Sequence, residues 1–146
     1  MQLLPITTMK IYFSCSIRGV RPEPGTTKKL IDHMKRHGTV LTEHIGEITD
    51  PDEIGQADTE IFRRDVNWLE EADALVAEVT GPSIGVGYEI GIAETLGKPI
   101  LCLFRVGSGR RLSAMVGGND YLTVREYSSL AEAFGLIDGF LENSVG

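Results

Sequence analysis

The chain has 146 residues, of which 42% are hydrophobic, and its 14 basic and 21 acidic residues give a formal net charge of -7 at pH 7. This length and composition fit one ordinary core, so we expect residues 1–146 to form a single domain with residues 1–8 as a flexible N-terminal segment. The acidic balance argues against a protein that binds a nucleic-acid polymer. A small anionic ligand remains compatible with it, because a local group of donors can hold one phosphate.

Cysteine use and hydropathy bear on the cellular compartment. Cys15 and Cys102 each lie in an apolar run that is typical of a strand, which indicates buried reduced thiols and not a disulfide or a metal site. No apolar stretch approaches the roughly 18 residues that span a bilayer, and the start MQLLPITTMK lacks the features of a signal peptide. We therefore expect a cytosolic protein that is not associated with a membrane, with the nucleus as a further compartment.

The predicted elements alternate between strands and helices. Runs of β-branched and aromatic residues bounded by Gly and Pro predict strands, and apolar residues at helical spacing predict helices. In chain order they are a strand at 9–15, a helix that begins at Thr26 or Thr27 and is ended by His37 and Gly38, a strand at 39–45, a helix whose inner stripe is Ile61, Phe62, Val66 and Leu69, a strand at 74–79, a helix at 88–96, a strand at 100–104, a strand at 121–124 and a helix at 129–141.

Strands that alternate with helices at this spacing imply parallel βαβ crossovers. The predicted fold class is therefore α/β: a three-layer sandwich with a five-stranded parallel sheet, flavodoxin-like or Rossmann-like, and helices on both faces. Ligands of such sheets bind outside the carboxyl ends of the strands. We expect the loops after the first, third and fourth strands to meet there.

The glycine-rich turn TGPSIGVGYEIG at 80–91 is the most informative stretch. Glycines allow a ligand to approach the backbone, the helix that follows offers free N–H groups to an anion, and Ser83 adds a hydroxyl. The spacing of Gly85, Gly87 and Gly91 is one residue too long for a dinucleotide fingerprint, and there is no phosphate-binding G-x-x-x-x-G-K motif. A tight turn with close helix packing explains the same residues equally well.

Two acidic residues are candidates for chemistry. Glu89 is expected in the first turn of that helix, where a carboxylate either stabilises the helix dipole or faces a cleft shared with Tyr12 and Ser16. Asp65 interrupts an apolar stripe beside Arg64. An exposed acid paired with a neighbouring arginine is its simplest interpretation, which a second carboxylate across a cleft would change.

The loop SIRGVR is a candidate phosphate site. It brings Ser16, Arg18, Gly19 and Arg21 to the end of a strand, although a solvated basic loop is an alternative. His44 follows the second predicted strand and is more typical of a partly buried histidine than of a catalyst. No second His or Cys stands at ligand spacing from it, so we predict no metal.

Four segments together resemble the 2'-deoxynucleoside 5'-monophosphate N-hydrolase family, part of the nucleoside 2-deoxyribosyltransferase-like group. The resemblance runs from about residue 10 to about residue 126, in order and without large gaps, which is far more specific than any single motif. The loop near 46–58 and the last helix resemble the family only loosely. The segments are YFSCSIRG at 12–19, GTVLTEH at 38–44, RRDVNWLEEADALVAEVTGPSIGVGYEIG at 63–91 and KPILCLFRVGSGRRLSAM at 98–115.

This resemblance implies hydrolysis of the N-glycosidic bond of a 2'-deoxynucleoside 5'-monophosphate, without a cofactor, to free base and 2-deoxyribose 5-phosphate. It implies that Glu89 is the nucleophile on C1', that Asp65 is the second acid and that Tyr12 lies beside the nucleophile and the 2' carbon. The residue types suit this reaction, because positive charge develops at C1' and O4' and a carboxylate can stabilise or trap it. Asp65 could supply a proton to the leaving base.

The resemblance also implies a phosphate pocket and a homodimer with shared sites. Ser113 of the partner subunit would reach the phosphate, Met115 of the partner subunit would reach the base, and His44 would lie near the base. Cys15 stands where we expect a glycine, which predicts a slight shift of the backbone around the phosphate. The 5'-phosphate pocket would consist of Ser16, Ile17, Arg18, Gly19, Ser83 and Gly85.

Three alternative functions stay open. A deoxyribosyltransferase would use a nucleobase in place of water as acceptor, but the transferases of this group take free nucleosides, which a phosphate pocket disfavours. A pyrimidine ribonucleotide (CMP-type) N-hydrolase is disfavoured by Tyr12, which can crowd a 2'-hydroxyl. A non-catalytic nucleotide-binding module on the same kind of sheet belongs to a different class. The sequence leaves the preferred base open.

Overall fold

The computed structural model describes residues 8–47 and 55–144. The flexibility expected of residues 1–8 and most of the loop near 46–58 therefore fall outside the described ranges. Within those ranges the strands are β1 (Met9–Ser14), β2 (Gly38–Val40), β3 (Ala74–Glu78), β4 (Ile100–Arg105) and β5 (Thr123–Tyr127), and the α-helices are α1 (Thr26–Met34), α2 (Asp58–Glu71), α3 (Ile84–Thr95), α4 (Ala114–Gly117) and α5 (Leu130–Ser144).

The five strands form one parallel sheet in the order β2-β1-β3-β4-β5. Side chains of a strand point alternately to the two faces, so Ile11 and Phe13 pack with α1 and α5 while Tyr12 packs with α2 and α3. Both faces of the sheet are covered by helices. The predicted three-layer α/β sandwich is confirmed.

The second strand is shorter than the predicted 39–45. After β2 the chain turns into a 3-10 helix at Glu43–Glu47. The Thr42 hydroxyl accepts a hydrogen bond from Phe13 N (3.0 Å) and donates one to Phe13 O (2.7 Å). Because this side chain takes the place of a backbone ladder partner, β1 stays satisfied where β2 has ended.

The predicted inner stripe of α2 is only partly correct. Leu69 is buried against the sheet, but Phe62 is 53% exposed, and Ile61 and Val66 are partly buried along a cleft. Helical spacing identifies the apolar side of α2, yet only part of that side reaches the sheet. The remainder forms the wall of the cleft described below.

Helix α3 begins at Ile84, four residues before the predicted start at 88. Ser83 caps it, with Oγ accepting a hydrogen bond from Val86 N at 3.3 Å. Glu89 therefore lies in the second turn and not in the first. The positive end of the helix dipole has little effect on a side chain in the second turn. The dipole explanation for Glu89 is correspondingly weakened.

The remaining boundaries need smaller corrections. The fifth strand begins two residues later than predicted and runs to Tyr127, whose hydroxyl donates to Glu78 in the core. The loop before it contains the unpredicted short helix α4. Cys15 and Cys102 are buried and free, as expected. None of the described helices is long and apolar enough to cross a membrane.

Candidate active site

A cleft of about 1160 Å³ opens at the carboxyl ends of β1 and β3, where the strand order reverses. This is the expected place for a ligand in a flavodoxin-like sheet. The loops after β1, β3 and β4 all contribute to it, as predicted. Its polar lining residues are Arg18, Asp58, Asp65, Ser83, Tyr88, Glu89 and Ser113.

Two glycines bring the first two of these loops together. A Cβ on Gly19 would lie 2.8 Å from both Pro82 O and Ser16 Oγ, and a Cβ on Gly81 would lie 2.2 Å from Val20 O. Both distances are too short for any other residue without movement of the backbone. The glycines therefore allow the SIRG loop and the TGPS turn to pack closely.

Several donors meet at this junction. Arg18 is exposed at the cleft, while Ser16 Oγ is buried and makes no hydrogen bond with any described residue. An unsatisfied buried hydroxyl calls for a partner. Of the other predicted phosphate residues, Ile17 and Gly85 line the same cleft, so the predicted set is brought together at one end of the site. Ser83 also lines the cleft, although its Oγ already accepts the cap bond.

Glu89 is the most strongly perturbed carboxyl group of the site. It is partly buried and lies beside the hydroxyl of Tyr12, which is 1% exposed. Burial, with a further contribution from the charge of Asp65, raises the pKa of Glu89 to about 7, against the opposing effect of Tyr12. Burial and the charge of Glu89 in turn raise the pKa of Tyr12, so its hydroxyl stays protonated at neutral pH.

Asp65 lies on α2 and, like Glu89, lines both the main cleft and a second, smaller cavity. Its Oδ1 accepts a hydrogen bond from Nε of Arg64 at 3.0 Å, so the pairing with arginine is confirmed. The pair is not on a solvated face, however, because its side chains are only 23% and 27% exposed. The two acids of the sequence analysis thus lie within electrostatic reach of each other.

Arg64 and Trp68 were not singled out from the sequence, although they organise this cavity. The guanidinium of Arg64 lies 4.8 Å from the centroid of the Trp68 ring, and Nη1 donates to Gln56 Oε1 at 2.6 Å. Their i, i+4 spacing on α2 is the signal that could have identified them.

His44 lines the small cavity and lies 5.6 Å from the Trp68 ring, centroid to centroid. It is solvent-exposed overall, but desolvation of its ring, followed by the charge of Arg64, lowers the pKa of His44. Its imidazole is therefore neutral at pH 7. It can donate or accept one hydrogen bond at each nitrogen, according to its tautomer.

The cavity also contains Ser14, whose buried Oγ lies near the Glu89 carboxylate without making a hydrogen bond of normal geometry to any described residue. Alternation along β1 explains its position, because Ser14 points to the same face as Tyr12. This alternation was the available signal.

Ser113 is the N-cap of α4 and Met115 lies in its first turn; their roles stay predictions. Ser113 lines the cleft of its own subunit, and its Oγ accepts a hydrogen bond from Met115 N at 3.3 Å. Met115 is 84% exposed. The Cys15 side chain packs in the core on the α1 side, with Sγ 3.7 Å from Thr27 Oγ1, and the shift of the backbone predicted for it stays untested.

The parallel sheet has its cleft at the switch point, which is typical of nucleotide-binding α/β proteins. Two carboxyl groups and a group of anion donors line this cleft. Paired carboxyl groups are the catalytic groups typical of a glycosidase, so fold and site together indicate an enzyme of that class. The model of the family described as Nucleoside 2-deoxyribosyltransferase matches residues 11–121, and the chain belongs to this family. The resemblance given by the sequence is thereby confirmed.

Similar proteins agree with this assignment. A 5-hydroxymethyl-dUMP N-hydrolase from Tetraodon nigroviridis is 49% identical over 125 residues, which cover 82% of this chain and 88% of the relative. The 5-hydroxymethyl-dUMP N-hydrolase of Rattus norvegicus is 50% identical over 111 residues, 74% of this chain and 68% of the relative. These relatives confirm the predicted class of enzyme, an N-glycosidase.

The fold has a counterpart among solved structures. The CMP N-glycosidase BcmB of Clostridium botulinum superposes with a TM-score of 0.62 at 18% identity, over 90% of this chain and 99% of that one. At this identity the likeness supports the fold alone.

Proposed function

We propose that this protein hydrolyses the N-glycosidic bond of 2'-deoxynucleoside 5'-monophosphates, releasing free base and 2-deoxyribose 5-phosphate. The observation that carries the proposal is the position of Glu89, which lines a small cavity with Asp65 and Tyr12 and also lines the cleft that contains Arg18. A nucleotide whose phosphate is held at the loop junction extends its sugar toward this acid pair.

The proposed reaction has two steps. The Glu89 carboxylate attacks C1', the C1'–N bond breaks, and its electron pair leaves with the base. In this proposal Asp65 is the general acid that passes a proton to the leaving base. Water then attacks C1', returns a proton to Asp65 and frees Glu89 from the sugar.

Tyr12 gives a reason for the preference for deoxyribose. Its ring is fully buried against β3 and its hydroxyl lies beside Glu89, so the ring is held rigidly next to the sugar position. A 2'-hydroxyl would have to share that space. Tyr12→Phe removes only the hydroxyl, and we expect it to lower kcat while CMP stays a poor substrate.

A substrate panel tests the proposal directly. The purified protein is incubated with 5-hydroxymethyl-dUMP, which the names of both relatives specify, with other deoxynucleotides, with the matching nucleoside and with CMP, and the products are separated by chromatography. We expect free base from the deoxynucleotide and little from the nucleoside, because phosphate binding holds the sugar in reactive geometry. A new nucleotide or nucleoside formed when free base is added would favour a transferase, and absence of any product would favour a binding module.

We also propose a homodimer in which each site receives Ser113 and Met115 of the partner subunit. The supporting observation is a group of large exposed apolar side chains. Ile84, Tyr88 and Phe62 line the cleft and are 94%, 60% and 53% exposed, and Met115, next to the cleft residue Val116, is 84% exposed. Exposed apolar patches of this kind mark interaction surfaces. A two-fold axis would bring the same patch of two subunits together.

A mixed-dimer experiment distinguishes shared from separate sites. Glu89→Ala and Ser113→Ala are each expected to be impaired, and subunits of the two variants are mixed and allowed to exchange. If the sites are shared, each mixed dimer contains one intact site and activity partly returns. Absence of recovery in dimers confirmed by sedimentation would assign Ser113 to the site of its own subunit.

The proposed location is the cytosol, with the nucleus as a further compartment. Two free buried thiols support a reducing environment. Fractionation of cells that express the tagged protein tests this, and enrichment in a secreted or membrane fraction would contradict it.

A further inference from the structure

Three side chains that commonly bind metals meet between α1 and α5. His33 Nε2 lies 2.8 Å from Asp138 Oδ1, and His37 Nε2 lies 2.6 Å from the same oxygen. One potential ligand atom from each residue lies within 4.8 Å of the others. The histidines and the aspartate are more than 100 residues apart in sequence.

This cluster is separate from the candidate active site. Helices α1 and α5 pack on one face of the sheet with Phe13, whereas α2 and α3, which carry Asp65 and Glu89, pack on the other face with Tyr12. The proposed reaction does not use the cluster. We therefore treat it as a second site with its own chemistry.

The histidines are already oriented for ligation. The His33 ring stacks on Phe134 with centroids 4.2 Å apart and an angle of 4° between planes, which fixes its direction. The side chains of His33 and His37 are 9% and 16% exposed, while that of Asp138 is 36% exposed and gives access from solvent.

We propose that His33, His37 and Asp138 bind a divalent transition-metal ion, Zn²⁺ in particular. Two imidazole nitrogens and a carboxylate oxygen are ligands that Zn²⁺ prefers, and a water molecule can complete a tetrahedron. Bond lengths of about 2.0–2.2 Å put tetrahedral ligand atoms roughly 3.3 Å apart, so the two hydrogen-bonded pairs, now at 2.8 and 2.6 Å, widen by about 0.5 and 0.7 Å on binding. The bound ion would join α5 to α1 and stabilise the fold.

The prediction of no metal rested on the surroundings of His44 in the sequence. His33 and His37 stand four residues apart, the spacing that places two side chains on one side of a helix. His37 lies just beyond the end of α1, where its N–H donates to Met34 O at 2.9 Å. The two histidines were a usable signal in the sequence, but the third ligand, Asp138, is brought to them only by the fold.

Calorimetric titration of the full chain with ZnCl₂ at neutral pH, after treatment with a chelator, tests the proposal. We expect saturable binding of one ion per chain, and a Zn²⁺-dependent rise in Tm. Asp138→Asn and His37→Ala should each weaken binding at least about tenfold and remove the rise in Tm. His44→Ala, which changes the remaining histidine of the sequence, is the matched control and should bind as the wild type does.

Asp138→Asn keeps the shape of the side chain and a hydrogen-bond acceptor, and circular dichroism checks that each variant is folded. Two results would overturn the proposal: a wild type without saturable binding, or folded variants that bind as tightly as the wild type. Either result would mean that the three residues form a hydrogen-bonded His–Asp–His cluster and not a metal site. The test is independent of the proposed hydrolase activity, because neither readout uses a nucleotide.

Discussion

Asp65 and Glu89 face one cavity from two different helices, and after burial the charge of Asp65 is a further cause that raises the pKa of Glu89 to about 7. A carboxyl group with this pKa changes its ionisation near neutral pH. The proposed role of Glu89 as a nucleophile requires the ionised form, so this proposal predicts that the electrostatic surroundings of Glu89 set the pH range of activity.

Asp65→Asn removes one of the causes of this shift. We expect the pKa of Glu89 to fall below about 7, since a neighbouring like charge disfavours the ionised form. Carbon-13 NMR titration of the glutamate carboxyl groups in the ligand-free protein measures this without any need for activity. Glu60→Gln, exposed on α2, is the control. An unchanged titration of Glu89 would mean that the two acids are not coupled.

Arg64→Met should act in the opposite direction. The positive charge of Arg64 lowers the pKa of Glu89, so its loss raises that pKa above 7, and the acidic limb of the kcat/KM profile moves to higher pH. The methionine keeps an apolar stem to pack near Trp68. A limb that stays in place, or moves to lower pH, would contradict this electrostatic account of the site.

Glu89→Gln should stabilise the protein at higher pH. The folded protein raises the pKa of Glu89 from 4.5 to about 7, so the folded state binds the proton more tightly than the unfolded state does. Stability from this group is present below pH 4.5 and is lost as pH rises to about 7. The advantage of the variant should therefore grow over this range, to about 3 kcal/mol at most, and then level off. Denaturant unfolding at several pH values measures it; a constant difference would disprove the linkage.

Gly19→Ala should disturb the phosphate end. The new Cβ would meet Pro82 O and Ser16 Oγ at 2.8 Å, so we expect a loss of about 1–3 kcal/mol of stability and a higher KM for the nucleotide. The nucleoside, which lacks the phosphate, should be affected much less. Gly135→Ala on α5 has open space around its Cβ and should leave KM unchanged. If Gly19→Ala raised KM equally for nucleotide and nucleoside, the loop junction would not be the part of the site that binds the phosphate.

The sheet was predictable because its signal is local. Alternation along β1 and the strand–helix order are both readable from sequence, and they place Tyr12 on the face of α2 and α3. The predicted end of β2 was wrong because hydrogen bonds between the Thr42 hydroxyl and the backbone of Phe13 replace those of a neighbouring strand, and such a tertiary contact has no local signal in the sequence. The predicted start of α3 was four residues too late because glycines have low helix propensity. In the structure the Ser83 cap offsets this.

Site residues that belong to a sequence motif could be proposed from the sequence. Residues whose position depends on three-dimensional packing could not. The family segments named Glu89, Asp65 and the two loops proposed to bind phosphate, and the structure brings these together at one cleft. The sequence placed Arg64 next to Asp65 and four residues before Trp68, but whether its side chain contacts both depends on its conformation, which spacing alone does not fix. Phe62 has the spacing of a core residue, but its exposure depends on how far α2 reaches over the sheet.

Release of free base by Glu89→Ala is the most direct test of the central claim. Chromatography of 5-hydroxymethyl-dUMP incubated with the folded variant should show a loss of about 10³-fold or more in rate relative to the wild type, while Glu60→Ala keeps full activity. Circular dichroism confirms that both variants are folded. Base release at the wild-type rate by Glu89→Ala would contradict the assignment of Glu89 as the nucleophile.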